Sequence, residues 1–80
     1  MSDNLQPILL ALQEVEEDSS TPKNVKEKIS LTIKVLNTDA ELAIKVSKAL
    51  HELEYLSEDS NVQPYTRTQI FNIVSLLEFL

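Results

Sequence analysis

The chain of 80 residues contains no glycine. Glycine ordinarily closes a helix in the left-handed backbone region and makes tight β-hairpins sterically accessible. An antiparallel sheet of this size would need several such turns, so the composition points to helices joined by Asn, Asp, Ser and Pro. Cysteine is absent too, which removes a disulfide framework, a thiolate zinc site and a Cys nucleophile. A hydrophobic fraction of 42% and a charged fraction of 25% suit one globular domain over residues 1–80. A core this small gains stability from self-association.

Four stretches carry apolar residues at helical spacing. Helix 1 is expected from about Asn4 to Asp18, capped by Asp3 or Asn4, with Pro7 tolerated in the first turn. Leu5, Ile8, Leu9, Leu12 and Val15 form its apolar face. Thr21 as N-cap and Pro22 as first helical residue then open helix 2, whose face is Val25, Ile29, Thr32, Ile33 and Leu36. Asn37 should end it, since Asn tolerates the left-handed conformation. Thr38-Asp39-Ala40-Glu41 has capping-box spacing and opens helix 3, with Leu42, Val46, Ala49, Leu50, Leu53 and Leu56 on one face. Asp59-Ser60-Asn61 breaks that helix, and Pro64 opens helix 4, with Ile70, Ile73, Val74, Leu77 and Leu80 on its main face. Connections this short make consecutive helices antiparallel neighbours. The expected fold is all-α, a four-helix bundle of two helical hairpins.

The two hairpins read as copies. A shift of 41 residues lays Glu17-Asp18-Ser19 on Glu58-Asp59-Ser60, Leu12 on Leu53, Ile29 on Ile70, Leu36 on Leu77 and Lys26 on Arg67. Pro22 and Pro64 miss alignment by one position, which would make the second corner one residue longer. Two copies are too few for a solenoid, so the hairpins are expected to close on each other.

Two segments carry a family resemblance. The run Glu17-Asp18-Ser19-Ser20-Thr21-Pro22-Lys23-Asn24-Val25, and Arg67-Thr68 followed by Ile70-Phe71-Asn72-Ile73-Val74-Ser75 and Leu77-Glu78, resemble the first loop and last helix of uncharacterised protein family 0147. That family is a group of small archaeal proteins, often with Trp where this chain has Phe71. The resemblance implies a helical bundle and an archaeal source. It carries over no activity and no functional residues.

The residues offer no catalytic constellation, and no cofactor or metal site is expected. His51 is the only histidine; it sits opposite the apolar face of helix 3 with no carboxylate placed to orient it, so it reads as an exposed neutral side chain. Glu14, Glu16, Glu17, Asp18 and Glu52, Glu54, Glu58, Asp59 crowd the ends of helices 1 and 3. An up-down bundle gathers both groups at one acidic end, read as solvated charge. Tyr65 and Arg67 could bind a ligand or simply cover that end. Lys23, Lys26, Lys28 and Lys34 make helix 2 basic, which is the alternative reading as a nucleic-acid accessory. No aromatic or Gly-rich element accompanies them and the net charge is −6, so nucleic acid is not the expected partner. The short run Ile8–Leu12 neither spans a bilayer nor has a basic flank. A cytoplasmic, non-enzymatic interaction module is therefore expected. Helix 4 is apolar well beyond the stripe a core needs. Phe71, Leu76 and Phe79, off its main face, form the expected self-association surface of a homodimer, with a further protein partner left open.

Overall fold

Four α-helices form where the apolar spacing places them: α1 Gln6–Glu17, α2 Lys23–Leu36, α3 Leu42–Ser57 and α4 Pro64–Glu78. The computed structural model describes residues 5–80, and no strand occurs among them. The expected caps Asp3 and Asn4 lie outside the described residues. Helix α1 packs on α2 and α4, and α3 packs on the same two, while the diagonal pairs do not touch. Lys28, early in α2, bonds Glu52, late in α3, at 2.8 Å, so these two helices run antiparallel. Asn24 Nδ2 lies 3.5 Å from Asp59 Oδ2, which brings the two hairpin corners to one end. The radius of gyration is 11.7 Å, close to the ~12 Å of a compact chain this long.

Burial repeats with a period of 41. The buried residues of α1 are Ile8, Leu12 and Val15, and their counterparts Ala49, Leu53 and Leu56 are those of α3. The buried residues of α2 are Val25, Ile29, Thr32 and Leu36, and their counterparts Thr66, Ile70, Ile73 and Leu77 are those of α4. One hairpin plan thus fills the core twice. Thr66 is absent from the apolar pattern because its side chain is polar; its place opposite Val25 reveals it.

The corners repeat as well. Asp18 Oδ1 accepts the Ser20 amide at 2.9 Å, and Asp59 Oδ1 accepts the Asn61 amide at 2.9 Å. The Asp18 carbonyl accepts from the Thr21 amide at 3.0 Å, and that of Asp59 from the Val62 amide at 3.1 Å. Each carboxylate builds an Asx turn that reverses the chain without a left-handed residue. Helices α2 and α4 then begin 41 residues apart, at Lys23 and Pro64. The longer second corner suggested by the prolines is therefore corrected: Pro22 is the N-cap of α2, whereas Pro64 is the first residue of α4.

The caps differ from the expected ones. Thr21 does not cap α2; its buried hydroxyl donates back to the Val15 carbonyl at 3.0 Å. Thr38 does not open α3 either; its hydroxyl donates to the Val35 carbonyl at 2.8 Å, closing α2, and Glu41 is the N-cap of α3 without a side-chain cap bond. In both places the hydroxyl serves the last turn of the preceding helix, where carbonyls lack partners. Asn37 ends α2 at φ −93°, ψ 5°, in the bridge region and not the left-handed one. No described residue has positive φ, which is how a chain without glycine turns three times.

The second corner has Val62 where the first has Thr21, and so lacks that hydroxyl. Arg67 replaces it. Its guanidinium donates to the carbonyls of Ser57, Asp59 at 3.0 Å and Val62 at 3.1 Å. A cation at the end of α3 also complements the helix dipole. Charge-assisted bonds of this kind are worth about 1.5–3 kcal/mol each before losses elsewhere. Arg67→Ala should lower stability by about 2–3 kcal/mol, and Thr21→Val by about 1 kcal/mol. Urea unfolding followed by circular dichroism measures both. Equal costs for the two would contradict the roles assigned here.

Candidate functional site

The described surface has one sizeable apolar depression, a groove of about 850 Å³ between the first half of α3 and the last turn of α4. Leu42, Val46, Leu50, Leu77 and Leu80 give it an apolar lining, and His51, Glu54 and Glu78 supply charge and hydrogen-bonding groups. The spacing Leu42, Val46, Leu50 follows one flank of α3, drifting outward from the buried Ala49 and Leu53 as a straight helix drifts at 3.6 residues per turn. Its volume lies within the range of small-molecule and peptide sites. Here the repeat breaks. Leu5 is buried at 5% exposure, but its counterpart Val46 is only partly covered and lines the open groove.

Phe71, Leu76 and Phe79 are all exposed, at 53%, 43% and 89%. They do not share one face. Phe71 follows Arg67 by one turn and precedes Glu78 by two, so it runs along the flank of α4 that meets α3 and the groove. Leu76 lies roughly 140° around the helix from it, with Phe79 between them. Thr68, Asn72 and Ser75 intervene on the outer face. The expected single patch is thus two flanks joined by Phe79. Sequence spacing could have separated them; the part it could not supply is the wall from α3, including His51 and Glu54.

Charge is divided along the molecule. Among the described residues, the half holding both hairpin corners has nine carboxylates and four cations, Lys23, Lys26, Lys28 and Arg67. The opposite half, with the groove, has Asp39, Glu41 and Glu78 against Lys34, Lys45 and Lys48. The acidic corners therefore share one end, as expected, and the other end is balanced. No three His, Asp or Glu side chains are grouped to hold a metal ion among the described residues.

Of the basic residues on α2, Lys28 is committed. It pairs with Glu52 at 2.8 Å and stands 5.1 Å from the centre of the Tyr55 ring. The Glu52 hydrogen bond raises its pKa above the ordinary lysine value of 10.5. Arg67 is taken up by carbonyls, so of the pair Tyr65 and Arg67 only Tyr65 presents itself to solvent. Asp18 is held below the ordinary carboxylate value, first by the Ser20 amide and then by the Ser20 hydroxyl.

The fold and groove define a small all-α protein with an apolar surface site and no assembled catalytic group among its described residues. It belongs to the uncharacterised protein family UPF0147, whose family model matches residues 1–80. A UPF0147 protein of Methanosarcina mazei is 32% identical over 78 residues, covering 96% of this chain and 84% of the relative. One from Sulfurisphaera tokodaii is 35% identical over 72 residues, covering 88% and 80%. One from Thermococcus kodakarensis is 34% identical over 80 residues, covering 98% and 96%. The family is thus found in archaea, as the resemblance implied. The crystal structure of the unknown function protein MMP1188 has a TM-score of 0.90 at 36% identity, covering 95% of this chain and 88% of that one.

The two shifted groups set opposite pH limits. Asp18 has a depressed folded pKa, so its contribution is full above the ordinary carboxylate value and is lost as pH falls through the folded value. Lys28 has a raised one, so its contribution is full below 10.5 and is lost as pH rises through the folded value. Melting temperature against pH should therefore fall at both extremes. Asp18→Asn should flatten the acid limb and Lys28→Met the alkaline limb; limbs unchanged in both variants would remove these assignments.

Proposed function

We propose that the chain is a non-enzymatic interaction module: a four-helix bundle of two related hairpins that pairs with a second copy of itself through α4. The carrying observation is the concentration of exposed apolar side chains at the charge-balanced end. Leu42, Ile44, Leu76, Phe79 and Leu80 are each at least 38% exposed there, beside an open apolar groove. Contiguous apolar surface on a small domain usually marks a contact site, and a twofold dimer is the commonest way of covering one. A core of this size gains directly from the added burial. No helix among the described residues is long and apolar enough to cross a membrane, so that route to covering the apolar end has no support.

The alternative is a nucleic-acid accessory acting through α2. It has Lys23, Lys26 and Lys34, which form no ion pair among the described residues. It has lost Lys28 to Glu52, and nine carboxylates occupy the same half as Lys23 and Lys26. Phosphate contacts would have to overcome that field.

Sedimentation equilibrium should give twice the 9.1 kDa chain mass at micromolar concentration. Leu76→Glu with Phe79→Glu should give a monomer that melts at lower temperature. A monomer for the unaltered chain at high concentration, or salt-sensitive retention on nucleic acid by a monomer, would replace this reading.

A further inference from the structure

We infer that, in the dimer proposed above, Phe79 of each copy inserts into the α3–α4 groove of the other. Phe79 has 89% of its surface exposed, more than any other large apolar side chain described. It projects roughly 150° from the buried stripe of Ile70, Ile73 and Leu77, away from its own groove. It cannot fill that groove without unwinding the last turn of α4. The occupant therefore comes from another molecule.

The groove is where the repeat leaves a position uncovered. Leu5 is buried in the first hairpin, and Val46 stands in its place at the open groove in the second. Donor and acceptor also lie together: Phe79 sits between Glu78 and Leu80, both of which line the groove. In a twofold contact residue i of one copy meets j of the other and j meets i. A projecting side chain adjacent to its own receptor groove satisfies that rule with two identical insertions and leaves no further copy to recruit.

Charge selects a second copy over an ionic partner. The groove half has three cations and three carboxylates, so two such halves meet without net repulsion. The surplus carboxylates lie at the far end of the molecule. Helix α3, 16 residues long, is about 24 Å in length and must follow the 34 Å axis. In the dimer the acidic ends then stand at opposite poles, several Debye lengths (about 8 Å each at physiological salt) apart. A phenylalanine buries about 150–250 Å², against about 800 Å² per partner in a standard interface. The groove walls with Leu76 and Leu80 complete the contact.

The chain has no cysteine, so single thiols can be placed at will. Ser47 lines the groove and Ser75 lies one turn before Phe79; both are exposed. Mixed Ser47→Cys and Ser75→Cys chains, treated with a short bis-maleimide, should give a covalent heterodimer. Ser20→Cys at the acidic end mixed with Ser47→Cys should give none. Phe79→Ala, at a site outside the core, should leave melting of the dilute monomer unchanged and raise the dimer Kd at least about tenfold. A dimer that persists in Phe79→Ala without the Ser47–Ser75 link would overturn the insertion and leave self-association standing. A monomeric unaltered chain would overturn both.

Discussion

Reversal of the chain at the two corners depends on one carboxylate in each. Asp18 and Asp59 each accept the amide two residues on, at 2.9 Å. That bond replaces the left-handed residue that a glycine would supply. With the turn set, the following helix starts in a fixed register. Ile8, Leu12 and Val15 then meet Val25, Ile29 and Leu36 in one hairpin, and their counterparts 41 residues later meet in the other. Loss of either carboxylate would free the corner and with it the register of a whole hairpin face.

The same economy shows in how the last turns of α1 and α3 are finished. The first uses a hydroxyl, that of Thr21, and the second a guanidinium, that of Arg67. Both answer one requirement, that carbonyls at a helix end find donors. An apolar Val62 in place of Thr21 is tolerated because a residue five positions further on reaches back. This division of labour explains why Arg67 is unavailable for a ligand, although an arginine in a first helical turn is an obvious candidate from composition alone.

Function is confined by the polarity of the molecule. Carboxylates gather where the corners are, and apolar surface gathers at the other end, with charge there balanced. The first distribution favours dispersion in water and discourages polyanions. The second leaves a groove whose floor is continuous with the core but whose roof is missing. Membership of UPF0147 and likeness to the MMP1188 structure place this arrangement in a family of small archaeal proteins without assigning it a reaction.

Much was legible without coordinates. Helical periodicity located the four helices and nearly every core residue, because a 3.6-residue repeat states which side of a helix avoids water. The Glu-Asp-Ser pair, 41 residues apart, disclosed the repeated hairpin, because the Asx turn needs its carboxylate at a fixed distance from the next helix. The hydroxyls of Thr21 and Thr38 were misread as N-caps. A Ser or Thr between two helices can serve the end before it or the start after it, and only the folded corner decides which carbonyl or amide comes within reach. Phe71, Leu76 and Phe79 were recognised as surplus to the core, yet their division over two flanks of α4 and the wall that α3 contributes depend on which helix packs beside which. That is decided by tertiary packing: a groove belongs to two helices at once, and the pattern along either one describes only its own side.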